Sequence, residues 1–294
     1  MHAPAGPAPR RWASSRGGPD AGSATHQSGR SRMSEAVSYG RYLKLDELLA
    51  LQQPRDRVEH DEMLFIVIHQ VYELWFKELL HEMDYARRLL GEDGDALRAQ
   101  HTLNRVLKIM KVLVAQLDVL ETMTPTEFLT FRDHLDRASG FQSDQFRQLE
   151  FVLGRKSRQA VERFDEGTRA RGALEARWEA PTIWDALVHY LAGKGYPVPQ
   201  EALDRDPTGP IEPSTGLQDV LVDIYRNDLQ NAQLCEHFVD LDEGVQEWRY
   251  RHVKMVERTI GSKTGTGGSA GSAYLRTTLD HSLFPDLWAI RSRL

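Results

Sequence analysis

Residues 63–76 read MLFIVIHQVYELWF, a dense apolar segment with a single imidazole, His69, near its middle. In a helix, positions four apart share a face, so Phe65 lies beside His69 and the stripe continues through Tyr72 and Phe76. An imidazole that faces an apolar interior needs a partner, because an unpaired buried polar group costs roughly 1 to 3 kcal/mol. The pattern predicts a long amphipathic helix in which that partner is a core residue, a metal or a ligand.

The sequence around this segment continues the helical pattern. No proline occurs between Arg55 and Thr124, and apolar residues recur every three or four positions. This predicts two long helices, over about 59–90 and about 96–122, joined around Gly91 and Gly94. Thr124, followed by proline and, three positions on, by Glu127, indicates a capping box at the start of the next helix.

Three further helices are predicted. One follows a break at Gly140 and has Ser143 as its cap, the next begins after Pro181, and the last extends from Leu217 to about Ile260. Prolines between positions 197 and 213 predict a connection without regular structure, and mixed charges over 155–180 predict a solvated helical face. No sustained period-two run of β-branched residues occurs. We therefore predict an all-α fold, a helical bundle with long antiparallel helices.

Composition excludes several classes of protein. The formal net charge of −6 gives no electrostatic reason to expect a nucleic acid partner. Cys235 is the only cysteine, which excludes an internal disulfide and any cysteine-rich metal site and is typical of the cytoplasm. No apolar run approaches the roughly 18 residues of a membrane-spanning helix. We expect a cytoplasmic protein with no membrane partner.

The first 32 residues differ from the rest of the chain. They contain four prolines and five arginines but very few large apolar side chains. Such a segment does not bury enough apolar surface to offset the entropy of ordering it. We predict a disordered tail over residues 1–32 and one domain over residues 33–294.

Three features outside the first helix are candidates for a site. Arg132 follows Phe128 by one helical turn, which fits either an ion pair with Asp136 or a ligand contact. His252 follows Trp248 by one turn and has a largely apolar setting. Residues 261–271 read GSKTGTGGSAG, either a flexible linker or a loop whose N–H groups and hydroxyls close over an anionic group. The absence of Gly-Lys-Ser/Thr excludes a P-loop.

Two metal chemistries use histidines in a helical bundle. A carboxylate-bridged di-iron site needs Glu-x-x-His on two helices, and only Glu78 and His81 supply that pair. Haem needs one axial histidine, a broad apolar pocket and a few polar groups. His252 and His69 then share the proximal and distal roles, and their spacing does not decide which residue takes which role.

Six segments in register resemble the tryptophan 2,3-dioxygenase family. They are Phe65–Gln70 with Glu73–Lys77, Leu120–Pro125, Phe131–Asp133, Ser139–Ser143, Trp248 with His252, and Gly265–Ser269. The resemblance covers roughly Tyr39 to the C-terminus. It implies a fold related to that of indoleamine dioxygenases, with the helices enclosing a haem pocket.

The resemblance also implies an activity and a cofactor. Members use one haem b per subunit to insert both atoms of O₂ across the C2–C3 bond of the L-tryptophan indole, giving N-formyl-L-kynurenine, the first step of the kynurenine pathway. It makes His252 the proximal iron ligand, with Trp248, Ser139 and Gly140 beside the haem. It makes His69 the distal catalytic residue, which hydrogen-bonds the indole N–H.

The remaining substrate contacts follow from the same resemblance. Phe65 with Ile66, Val67 and Ile68 is expected to form the wall against the indole. Arg132 is expected to bind the carboxylate, and Thr266 the ammonium and carboxylate groups. Phe128 stands where some members have tyrosine, so Arg132 is expected to carry more of the recognition.

The family also implies a homotetramer in which an N-terminal segment, here Tyr39, Tyr42 and Leu43, reaches a neighbouring active site. Two alternatives to the dioxygenase remain. One is a paralogous haem oxygenase that acts on a substituted tryptophan in secondary metabolism. The other is a non-catalytic haem sensor.

Overall fold

The computed structural model describes residues 36–55, 58–136, 138–263, 265, 271–279 and 281–294. All regular secondary structure in these residues is helical, which confirms the predicted all-α class. The chain divides into two compact units, Met1–Leu49 and Ala50–Leu294. The predicted disordered tail, residues 1–32, lies outside the described residues, and the predicted domain over residues 33–294 stays a prediction.

The described part of the first unit contains two short helices, α1 (Tyr39–Leu43) and α2 (Leu45–Leu49). Ser38 caps α1 by accepting a hydrogen bond from the N–H of Arg41, and Lys44 takes a left-handed conformation with φ of 51° between the two helices. Neither helix has a buried residue. Packing within this unit therefore leaves its aromatic side chains exposed.

The second unit contains the long helices. Its helices are α3 (Asp61–Gly91), α4 (Ala96–Leu120), α5 (Pro125–Phe131), α6 (Asp144–Val152), α7 (Arg158–Glu162), α8 (Arg169–Glu179), α9 (Ile183–Gly193), α10 (Gln200–Leu203), α11 (Thr215–Asn227), α12 (Leu229–Ile260), α13 (Ser272–Arg276) and α14 (Pro285–Ala289). Single 3₁₀ turns cover Arg132–Leu135, Gly140–Gln142 and Ile290–Arg293.

The core lies between α3, α4, α9 and α12. The predicted spacing of three and four gives α3 its buried face, formed by Ile68, Tyr72, Phe76, Leu79, Met83, Ala86 and Leu90. Helix α4 packs against this face with a similar apolar stripe, formed by Leu103, Val106, Met110, Leu113 and Leu117. The two helices are antiparallel, since Tyr72 of α3 donates to the carbonyl of Leu113, whereas Glu82, later in α3, accepts from Arg105, earlier in α4.

Helix α12 runs parallel to α4, and therefore antiparallel to α3. Ion pairs show this order along the two helices: Lys111–Glu247, Asp118–Arg251 and Glu121–Arg258. The long antiparallel helices predicted from the sequence are thus α3 with α4 and α3 with α12. No helix described here combines the length and the apolar character needed to cross a membrane.

Several local predictions are confirmed. Thr124 and Glu127 form the capping box of α5, with Pro125 in its first turn. Ser143 caps α6 by accepting from the N–H of Phe146. Thr182, directly after Pro181, caps α9. These signals are local in sequence, so they depend little on distant packing.

Three local predictions are wrong in detail. The helix expected from Leu217 to Ile260 is divided at Asp228, which caps α12 by accepting from the N–H of Asn231. The proline-rich connection contains one helical turn, α10, which begins after Pro199. The charged segment over 155–180 is not only a solvated face. Its helices bury a small second core of Phe151, Ala160, Val161 and Leu174.

Candidate functional site

A cavity of about 270 Å³ lies between α3, α5, α6 and α12. Its surface is mainly apolar, and a few charged and polar groups interrupt it. Eight residues that the sequence placed at the site line it: Phe65, His69, Phe128, Arg132, Ser139, Gly140, Trp248 and His252. They come from segments far apart in the chain, so the fold brings together what the sequence proposed separately.

His69 lies on the α3 side of the cavity. Its Nδ1 lies 2.7 Å from the carbonyl oxygen of Phe65, one turn earlier. A carbonyl only accepts, so Nδ1 carries the proton and Nε2 keeps its lone pair. Burial lowers the pKa of His69, and this outweighs the opposing effects of the Phe65 carbonyl and of Glu73. His69 is therefore neutral at pH 7 and offers one acceptor.

His252 lies on the α12 side of the same cavity. Burial, with a smaller contribution from the neighbouring His69, lowers the pKa of His252 to about 4. Among the described residues neither ring nitrogen has a hydrogen-bond partner. The ring stacks on Trp248, with centroids 5.2 Å apart and planes 5° apart. His252 is thus a neutral, oriented imidazole with a lone pair available to a metal.

Aromatic rings hold the two histidines in place. The ring of Phe65 lies 4.1 Å from that of His69, 5.8 Å from that of Phe128 and 5.6 Å from that of Phe131. Ring contacts of this kind prefer tilted or edge-to-face geometry, as seen here, and they restrict rotamers. The wall next to His69 is therefore a rigid aromatic surface suited to a flat apolar ligand.

Arg132 begins the 3₁₀ turn that follows α5, and its N–H still bonds to the carbonyl of Phe128. The helix ends earlier than the sequence suggested, but Phe128 and Arg132 both face the cavity. Asp136, proposed as an ion-pair partner, has φ of 49° and accepts from Arg55 at 2.9 Å. Arg55 also donates to the carbonyl of His134, and so holds the turn that presents Arg132.

Two glycines of the glycine-rich loop, Gly265 and Gly271, line the cavity. Gly271 has φ of 61°, and a Cβ there would lie 2.7 Å from the carbonyl oxygen of Lys263. Glycine is therefore required at this end of the loop. Thr266, the predicted contact for the substrate's charged groups, lies outside the described residues.

Three other predicted contacts on α3 do not line the cavity in the described residues. Ile66, Val67 and Ile68 are absent from its lining, since a helix turns them away from the face that carries Phe65 and His69. Val67 is 37% exposed, and Ile68 packs in the core. The expected wall is formed instead by residues one turn apart.

Tyr39, Tyr42 and Leu43 belong to the first unit, where their exposed fractions are 76%, 77% and 41%. These side chains are available for contacts that the single chain does not supply. Their predicted role stays a prediction.

Reasoning from the sequence missed a set of charged residues in the cavity wall, Arg147, Glu150 and Arg249. Arg147 and Glu150 are three apart on α6 and resemble an ordinary surface pair. Arg249 lies in a run of alternating basic residues on α12. Only the packing of the two helices shows that all three side chains are nearly buried.

The described residues contain no group of three or more histidine, cysteine, aspartate or glutamate side chains placed to hold a metal ion. The di-iron site considered from Glu78 and His81 therefore has no counterpart in this part of the chain. A cofactor that supplies most of its own metal ligands needs only one protein ligand, and His252 has the lone pair and setting for it.

Comparison with known proteins identifies the family. The family model described as tryptophan 2,3-dioxygenase matches residues 24–172 and 214–294. The chain is 54% identical to the tryptophan 2,3-dioxygenase of Herpetosiphon aurantiacus over 263 residues, which cover 89% of this chain and 100% of that protein. It is 55% identical to that of Anaeromyxobacter sp. strain K (89% and 97%) and 41% identical to that of Bacillus cereus strain ZK (88% and 94%). The chain belongs to the tryptophan 2,3-dioxygenase family.

Proposed function

We propose that this chain is a haem-dependent dioxygenase that cleaves the C2–C3 bond of the L-tryptophan indole with O₂ to give N-formyl-L-kynurenine. One observation carries the proposal: two neutral imidazoles from different helices face one aromatic cavity. One of them has a fixed tautomer, and the other lacks a hydrogen-bond partner in the described residues. The relatives named tryptophan 2,3-dioxygenase support the same conclusion.

The residues present fit one haem b per subunit. The neutral ring of His252 would hold the haem iron, and stacking on Trp248 fixes the plane of that ring. Ser139 and Gly140 line the same cavity and would lie beside the cofactor. Bound there, haem would supply the iron at which O₂ reacts. The low pKa of His252 keeps its lone pair free of protons throughout the neutral range.

His69 receives the indole. Its Nδ1 proton is held by the Phe65 carbonyl, so Nε2 is an acceptor aimed at a donor on the ligand. The substrate's indole N–H is such a donor. Phe65 and Phe128 supply the flat apolar surface against which the ring packs. His69 thus orients the indole and receives its hydrogen bond.

Arg132 recognises the carboxylate of tryptophan. A carboxylate that enters an apolar cavity loses its water, and a guanidinium replaces it with two parallel charged hydrogen bonds. Phe128 has no hydroxyl to share this role. We expect the glycine-rich loop, with Thr266, to close over the polar end of the substrate and to exclude water.

The assembly is a homotetramer in which Tyr39, Tyr42 and Leu43 enter a neighbouring subunit's site. Their exposure in the single chain supports this arrangement. The single cysteine supports a cytoplasmic location. No observation on this chain favours a substituted tryptophan as the preferred substrate.

The test uses purified ferrous protein with L-tryptophan and air, and follows the absorbance of N-formylkynurenine. We expect product that depends on both haem and O₂. Product from a methylated or hydroxylated indole but not from tryptophan would replace this proposal with the paralogous oxygenase. Bound haem and bound tryptophan without any product would replace it with the sensor.

A further inference from the structure

A second cavity, of about 480 Å³, lies where α4 ends, α5 begins and α12 ends. We name it the side cavity, and its wall includes Asp118, Glu121, Thr122 and Arg258. Two further residues of its wall, Met123 and Thr259, also line the cavity that contains His69 and His252, which we call the site cavity. At this point a single layer of side chains therefore separates the two cavities.

The side cavity leads inward from solvent. The side chains of Asp118 and Arg258 are 67% and 66% exposed, whereas that of Glu121 is 15% exposed. Met123, at the boundary with the site cavity, is 6% exposed. The outer part of the side cavity is thus open to water, and its inner end lies at the residues that face the site.

The charges around the side cavity are paired with one another. Arg258 donates to Glu121 at 3.1 Å, and Arg251 donates to Asp118 at 2.6 Å and to Glu121 at 3.4 Å. Among these described residues two carboxylates match two guanidinium groups, so neither sign is left in excess to bind an ion. A large apolar ligand would remove water from these groups at a cost in free energy. The side cavity therefore suits the passage of small uncharged molecules.

Met123 is the adaptable member of the separating layer. It lies in the turn between α4 and α5, where its N–H donates to the carbonyl of Leu120. An unbranched thioether has three rotatable bonds and adapts to gaps of irregular shape. Thr259 is fixed by contrast, because it lies in α12 and its hydroxyl donates to the Met255 carbonyl at 2.8 Å. A change of rotamer at Met123 is therefore the simplest way to connect the two cavities.

The proposed reaction needs one small molecule besides tryptophan. Both atoms of O₂ enter the product, so tryptophan and O₂ together account for every atom of N-formylkynurenine and no water is consumed. A tryptophan that fills the site cavity, of about 270 Å³, blocks the route by which it entered. O₂ is uncharged and diatomic, so a gap the width of one side chain is sufficient for it.

We propose that the side cavity is the entry route for O₂ when tryptophan is bound, with Met123 as its gate. This rests on the proposed function, because it takes tryptophan as the occupant of the site cavity and haem as the destination of O₂. The route that the substrate uses is open to O₂ only when the substrate is absent. Blocking the side cavity should therefore have different effects with and without tryptophan.

The test fills the side cavity from its exposed rim. Thr122→Trp adds a large ring at a residue that lines the side cavity and not the site cavity. Carbon monoxide is the probe, because it is also uncharged and diatomic and binds ferrous haem. A laser flash dissociates it from the full, haem-loaded chain, and its association rate constant is measured with and without L-tryptophan. With tryptophan we expect association about tenfold slower, equivalent to a barrier raised by about 1.4 kcal/mol, and without tryptophan a change below about twofold.

Thr130→Trp is the matched control. Both threonines are exposed, and each donates its hydroxyl to the carbonyl three residues earlier, Thr122 at 2.7 Å and Thr130 at 2.8 Å. Thr130 lines neither cavity, so we expect wild-type rates in both conditions. A further variant, Met123→Leu, keeps a similar volume with one rotatable bond fewer, and we expect association about threefold slower only with tryptophan bound.

The outcomes separate this inference from the proposed function. An unchanged rate in Thr122→Trp with tryptophan bound would show that O₂ does not use the side cavity, and would overturn the inference. An equal slowing with and without tryptophan would show that the substitution acts on the haem pocket as a whole, and would overturn it as well. The infrared stretching frequency of bound carbon monoxide checks this, because an intact pocket leaves it unchanged. A wild-type chain that takes up no haem, or that binds no tryptophan, would refute the proposed function itself, and the inference with it.

Discussion

Replacing Arg132 with methionine removes the proposed partner of the substrate carboxylate while keeping a side chain of similar length. A hydrogen bond to a charged group contributes about 1.5 to 3 kcal/mol, so a two-pronged contact contributes about 3 to 6 kcal/mol. The lower end applies, because Arg132 is only partly buried and water screens part of the charge. About 3 kcal/mol corresponds to a loss of roughly 150-fold in kcat/KM.

The assay measures kcat/KM for L-tryptophan and for tryptamine, which lacks the carboxylate. For Arg132→Met we expect the loss with L-tryptophan, mainly through KM, and little change with tryptamine. Haem content should stay at the wild-type level, because Arg132 is not proposed to hold the cofactor. Arg291→Met is the matched control, since Arg291 pairs with Glu236 and does not line the cavity. A loss below about threefold with L-tryptophan, or an equal loss with both substrates, would refute the role of Arg132.

Four further predictions concern other parts of the chain. His252→Ala should lose its haem or hold it misligated, seen in the absorbance spectrum, and added imidazole should restore a wild-type-like spectrum. His69→Ala should keep its haem but turn over tryptophan more slowly, because the acceptor for the indole N–H is gone. Asp242→Ala should lower the free energy of unfolding by about 3 kcal/mol or more in chemical denaturation, because its carboxylate accepts from two backbone N–H groups and from Trp288. Cys235 should resist iodoacetamide at pH 8 in the folded protein, because burial raises the pKa of its thiol to about 12, and should react on unfolding.

Each of these predictions has a contradicting result. A wild-type haem spectrum in His252→Ala would show that His252 is not the iron ligand. The control for this variant is His189→Ala, because His189 lies on α9 and does not line the cavity. A haem-free His69→Ala protein would reverse the two histidine roles. Unchanged unfolding of Asp242→Ala would show that its donors find other partners. Rapid alkylation of Cys235 under conditions in which the protein is fully folded would mean that the core opens locally.

Much of the fold was predictable because its signals are local. The apolar spacing of α3 and α4, the capping box at Thr124 and the cap at Ser143 all depend on residues within one or two turns. The break between α11 and α12 at Asp228 was not predicted, because this capping interaction interrupts only one turn of an otherwise continuous apolar pattern. A break of that size leaves the periodicity on both sides nearly unchanged.

Contacts within the site were predictable from the sequence when both residues lie on one helix. Contacts between residues of different helices were not. Phe65 with His69, and Trp248 with His252, are one turn apart, so the sequence alone places each pair on one face. The relation between the two pairs depends on how α3 and α12 pack. The resemblance to a family supplied the roles that spacing left open.

The burial of Arg147, Glu150 and Arg249 in the cavity wall was not predictable from the sequence. A pair such as Arg147 and Glu150, three apart on a helix, is usually exposed and contributes little to stability. Here the packing of α6 against other helices buries it and brings Arg249 to the free carboxylate oxygen. The packing therefore turns what resembles an exposed surface pair into a nearly buried charged group in the cavity wall.

The most direct test of the central claim is a single turnover with isotopically labelled oxygen. Ferrous protein reconstituted with haem is mixed with L-tryptophan under ¹⁸O₂, and the product is analysed by mass spectrometry. We predict N-formylkynurenine in which both inserted oxygen atoms carry the label. A product with one labelled atom, or no product from a haem-loaded protein that binds tryptophan, would contradict the account.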